Sequence, residues 1–80
     1  MSTLVSSEPR AESIEFIEDA FVVHLLDGRS LTVPLEWFPR VRDATPEQRK
    51  QYEFSGRGYG IHWPELDEDI SVPGLLGLPD

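Results

Sequence analysis

Residues 20–34 read AFVVHLLDGRSLTVP, and this run constrains the chain more than any other stretch. Phe21, Val23 and Leu25 fall on one face of an extended strand, and Val22, His24 and Leu26 on the other, because side chains alternate with a period of two. Asp27-Gly28 then supplies a reversal. The pair is favoured in a type I′ turn, where both central residues take positive φ. Ser30 to Val33 returns with Leu31 and Val33 sharing a face. A β-hairpin is the expected result. Ahead of it, Ser13–Glu18 alternates Ile14 and Phe16 with Glu15, and Ile17 with Glu18, which adds a strand and makes a three-stranded meander.

Pro34 and Pro39 stop the sheet, since neither can donate a ladder hydrogen bond. Leu35 to Phe38 between them fits one helical turn that sets Trp37, Phe38 or both on the sheet. In DATPEQRKQYEF, Thr45 is a good N-cap, Pro46 suits the first helical position and Gln48 completes a capping box. The helix expected there spans Pro46 to Gln51, with Ala44, Tyr52 and Phe54 to pack it. YEFSGRGYGIHW reads as a second hairpin. Tyr52 and Phe54 form its first arm, and Ser55-Gly56 to Gly58 turns. Tyr59, Ile61 and Trp63 share a face in the second arm, and Pro64 ends it. Ser71 can cap a closing turn containing Pro73, Gly74, Leu75 and Leu76. The fold class expected is α+β: a small antiparallel sheet, made of the meander plus a C-terminal strand or hairpin, packed with one short helix. Residues 1–10 read as a flexible tail and residues 11–80 as a single domain.

Eighty residues leave room for one core. The chain has no cysteine, so neither a disulfide framework nor a cysteine zinc site can form. No apolar run approaches a membrane span and the N-terminus does not resemble a secretory signal, so a cytoplasmic protein is expected. The formal charge is −8, and it is unevenly placed. Residues 1–39 carry −5, residues 40–57 carry +2 through Arg40, Arg42, Arg49, Lys50 and Arg57, and residues 58–80 carry −5. Direct nucleic-acid binding requires a basic footprint and is not expected. A small basic protein suits this surface better.

Chemical motifs fail on spacing. Gly56, Gly58 and Gly60 lack the helix that a dinucleotide-binding loop needs, and read as bare positions where a neighbouring backbone or ring can come close. Asp67, Asp69 and Ser71 have the spacing that opens a calcium loop, but Val72 and Leu78 stand where glycine and the bidentate acid are required. These acids, with Glu68, read as turn caps. His62 and Glu65 are separated by Pro64, which argues against the helix that would align them as ligands. His24, mid-hairpin, reads as a cross-strand packing residue. With no metal or cofactor set and no catalytic motif, no enzyme activity and no cofactor are expected.

The stretches Asp27-Gly28-Arg29, Trp37-Phe38-Pro39-Arg40, Ala44-Thr45-Pro46-Glu47-Gln48-Arg49 and Gly60-Ile61-His62-Trp63-Pro64, followed by Leu66-Asp67-Glu68-Asp69-Ile70, resemble the small bacterial proteins called domain of unknown function 2442. The resemblance runs from about Ile14 to Leu76. It implies a small α+β domain with no established activity. Relatives are often encoded beside domain of unknown function 4160 proteins, in an arrangement similar to a toxin–antitoxin pair. Some also carry a helix-turn-helix segment, which these residues do not contain. The function expected is an acidic protein-interaction module, the antitoxin-like partner of a neighbouring small basic protein, as a monomer or dimer. Tyr59, His62, Trp63, Asp67, Glu68 and Asp69 are its candidate contact residues. The alternatives are a ligand-binding or enzymatic domain centred on His62, with Glu65 and Asp67, and an acidic mimic of nucleic acid.

Overall fold

The computed structural model describes residues 9–77. The chain forms two three-stranded antiparallel sheets with short helical turns between the strands. Strands β1 (Ala11–Phe16), β2 (Ala20–Leu25) and β3 (Ser30–Pro34) make the expected meander in that spatial order. Phe21 pairs with Phe16 on one side and Val33 on the other, and Val23 with Ile14 and Leu31, so one face gathers the apolar set. Residues 1–8, most of the expected tail, lie outside the described residues. Pro9 is buried, and the Arg10 carbonyl accepts a 2.9 Å bond from Leu26 N–H, so these two join the fold.

The turn between β2 and β3 is not type I′. Among its residues only Gly28 has positive φ, at 96°. Leu25 C=O accepts from Gly28 N–H at 3.1 Å and Leu25 N–H donates to Arg29 C=O at 2.8 Å, the pattern of a longer loop with one left-handed residue. Asp27 settles the choice. Its carboxylate turns back to accept from Arg29 N–H and from the Arg29 guanidinium, at 3.0, 2.9 and 2.6 Å.

After β3 a 3-10 turn, Leu35–Trp37, buries Leu35, while Phe38 packs on Phe21 with ring centroids 6.2 Å apart. Trp37 does not reach the sheet: it is 62% exposed. Two one-turn helices follow, α1 (Pro39–Arg42) and α2 (Pro46–Arg49). The first was not expected, and the second is shorter than its sequence suggested. Its capping box is complete: Thr45 Oγ1 accepts from Gln48 N–H at 3.1 Å, and Gln48 Oε1 accepts from Thr45 N–H at 3.0 Å.

Strands β4 (Glu53–Ser55), β5 (Gly60–Trp63) and β6 (Glu68–Ser71) form the second sheet, followed by helix α3 (Val72–Leu75). Ser71 caps α3 as expected, accepting from Gly74 N–H at 3.1 Å. Phe21, Val23 and Val33 of the first sheet meet Ile61, Trp63 and Ile70 of the second, with Val41 and Val72 from helices α1 and α3, in one buried cluster. Gly58, in the turn between β4 and β5, lies against the start of β1. Its φ is +98°, and a Cβ there would lie 2.8 Å from the Ala11 carbonyl oxygen, so the close-approach reading of that glycine holds.

Candidate functional site

Strand β5 sorts the candidate residues. Ile61 and Trp63 point inward and are fully buried, while Gly60 and His62 lie on the opposite face. Trp63 is therefore removed from the contact set. Its ring packs edge-on against Phe21 at 6.2 Å, and its Nε1–H donates to the Arg49 carbonyl at 3.0 Å. Tyr59 was expected to share that inward face, but it precedes the strand and is 40% exposed, with the Arg10 guanidinium 5.9 Å from its ring centre. It remains available at the surface.

His62 sits in the middle strand of the sheet's outward face. Register places Glu53 of β4 on one side of it and Asp69 of β6 on the other. Its Nδ1 lies 2.6 Å from Asp69 Oδ1. A carboxylate oxygen accepts, so a hydrogen bond across this contact takes Nδ1–H as its donor. Asp69 keeps 77% of its side chain exposed. This acid–histidine–acid row is the arrangement that sequence reasoning missed. The acids were expected as turn caps, but Glu68 and Asp69 belong to a strand. Ile70 was the available signal: it is the single inward apolar residue of β6 and pairs with Ile61.

Asp67 occupies the turn between β5 and β6 in a left-handed conformation, φ 52°, and closes the 3-10 turn Pro64–Leu66. Arg40 holds it from α1: the guanidinium donates to the Asp67 carbonyl at 2.6 Å and lies 3.8 Å from its carboxylate. The carboxylate itself is 96% exposed. The register brings His62, Asp69 and Glu53 together on one face, sets Glu68 beside Trp63 on the opposite side, leaves Asp67 in the turn against Arg40, and excludes Trp63.

Three other features complete the chemistry. On the first sheet, His24 bridges strands as expected, with Nδ1 2.9 Å from Ser30 Oγ and Nε2 3.4 Å from Glu15. An open groove of about 610 Å³ lies between the β1–β2 turn, the start of the Leu35 turn and the one-turn helices, and none of the candidate residues lines it. Its two arginines are occupied, Arg42 with Asp43 at 3.0 Å and Arg49 with the Val41 and Arg42 carbonyls. Among the described residues no cluster of three or more metal-ligating side chains is formed, and no helix is long and apolar enough to cross a membrane.

Two three-stranded sheets closed over a shared core and joined by short helical turns define a small α+β domain. The chain belongs to the family described as protein of unknown function DUF2442, whose model matches residues 11–78. A protein of unknown function from Rhodospirillum rubrum is similar over 90% of both chains, at 33% identity and a TM-score of 0.74. An uncharacterised protein from Chromobacterium violaceum, solved in solution, is 30% identical with a TM-score of 0.71. The match covers 85% of this chain and 64% of that one. No curated protein matches the chain.

Proposed function

We propose that this domain is a binding module rather than an enzyme, and that it engages a small basic protein through the outward face of the β4–β5–β6 sheet. The contact residues are His62, Asp69 and Glu53 on that face, with the exposed Tyr59 and Asp67 from the turns flanking β5; Glu68, opposite Trp63, is withdrawn together with it. The observation that carries the reading is the exposed Asp69 carboxylate beside His62, at 77%, with a second exposed carboxylate, Asp67 at 96%, in the turn after β5. Charge displayed on a sheet face costs little in water and becomes useful when a cationic surface covers it. The overall charge of −8 favours encounter with such a partner. The expectation that relatives are encoded beside a second small protein family makes the product of a neighbouring gene the candidate partner, with this chain as the antitoxin-like half.

Co-purification from the native host should recover a small basic protein. Its affinity should fall at least about tenfold in the Asp67→Asn/Asp69→Asn double variant, the loss of two close charge pairs at roughly 1 kcal/mol or less each when rim-exposed and more when covered. The association rate should become less salt-dependent in the same variant. Recovery of no partner at any salt concentration, or a double variant that binds as the parent does, would count decisively against the reading.

A further inference from the structure

Among the described residues the outer edge of β3 is unpaired, and we infer that it is the surface through which two copies of this chain associate. The bonds from Leu25 N–H to Arg29 C=O and from Leu35 N–H to Asp19 C=O fix the phase of the β2–β3 ladder. Leu31 and Val33 exchange bonds with β2, so Ser30, Thr32 and Pro34 direct their backbone groups away from the sheet. No described strand lies on that side.

The other edges are blunted in the ways that proteins use against unwanted pairing. Strand β1 is irregular between Ala11 and Ser13, and the Arg49 guanidinium lies 5.9 Å over Phe16 near its end. Strand β4 has three residues. Strand β6 carries two acids and runs directly into α3. Strand β3 has five residues, SLTVP, with no charge, and only Pro34 limits it, at one end.

What selects a second copy is that the edge complements itself when turned about a two-fold axis. With the axis at Thr32, each Thr32 N–H donates to the Thr32 carbonyl of the other copy. Each Ser30 N–H donates to the other copy's Pro34 carbonyl, an acceptor that needs no N–H in return. The same operation lays the end bearing Leu26 and Arg29 beside the end bearing Glu36 and Trp37. Leu26 and Trp37 are the two most exposed large apolar residues described, at 49% and 62%. An isologous contact requires this pairing of unlike ends. The result is a continuous sheet across the dimer, and it leaves the β4–β5–β6 face free, so it stands independently of the partner reading above.

Sedimentation velocity over a wide concentration range tests the inference. The parent chain should show a reversible monomer–dimer equilibrium, and the Thr32 amide should exchange with solvent more slowly as concentration rises. Thr32→Pro removes the outward N–H without touching the β2 ladder and should weaken dimerisation at least about tenfold, with the far-ultraviolet spectrum retained. Thr32→Lys keeps the N–H but sets like charges opposite each other, and should weaken it similarly. If the proline variant fails to fold, the lysine variant decides. A parent chain that stays monomeric throughout, or a dimer that survives the Thr32→Lys change, overturns the inference.

Discussion

Arg49 shows how much one side chain does in a domain this small. From the last position of α2 it donates to the Val41 carbonyl at 3.0 Å and the Arg42 carbonyl at 2.6 Å, satisfying the open end of α1. Its guanidinium also covers Phe16, and its own carbonyl receives the Trp63 indole N–H. Two helices and two sheets meet there. Arg49→Ala should cost about 1.5–3 kcal/mol, the range for hydrogen bonds to a charged group, and lower the melting temperature by several degrees per kcal/mol. Arg49→Lys should recover little, because a point charge cannot reach two carbonyls at once in the fork geometry. Asp27 gives a second residue-scale expectation. The hydrogen bond from the Arg29 side chain holds its carboxyl below the ordinary carboxylate range, with the Arg29 backbone N–H adding to this. A group whose folded pKa is depressed stabilises the fold above its unfolded value, and that contribution disappears as pH falls through the folded one. In thermal melts, Asp27→Asn should therefore differ from the parent at neutral pH and converge with it well below pH 4, the region under the ordinary Asp value of about 3.9.

At the scale of elements, Gly58 and Gly28 separate two kinds of glycine. Both have φ near +97°, at 98° and 96°. Around Gly28 an added Cβ meets nothing within 4 Å, while at Gly58 it meets the Ala11 backbone at 2.8 Å. Gly28→Ala should cost roughly 1–2 kcal/mol of backbone strain alone. Gly58→Ala should cost more, because β1 must also move; equal losses in urea titrations would refute the close-contact argument. What the sequence disclosed follows the same division between local and non-local causes. The meander was readable because alternation and Asp27-Gly28 act locally, and the α2 capping box was readable because Thr45 and Gln48 are three residues apart. Strand β6 was not, because Glu68 and Asp69 disfavour strands and only pairing with β5 overrides them. The His62–Asp69 contact was hidden for that reason, since it requires knowing the register. Helix α1 was hidden because four residues carry too little periodicity to read.

Over the whole molecule, neither sheet has a core of its own. Phe21 and Val23 bury themselves against Ile61 and Trp63, and Val41 and Val72 fill the space between. Unfolding should therefore be one cooperative transition, with near- and far-ultraviolet circular dichroism melting together. Separate midpoints would mean that the sheets can stand apart. The two tryptophans then divide the molecule's optical signal. Trp63 is sealed in the core against Phe21 and hydrogen-bonded to Arg49, while Trp37 stands in water at one end of β3. One indole is screened from small quenchers until the chain opens, and the other is within their reach in the single chain. The protein thus carries two emitters of different colour, one recording collapse of its interior and the other recording whatever arrives at its edge.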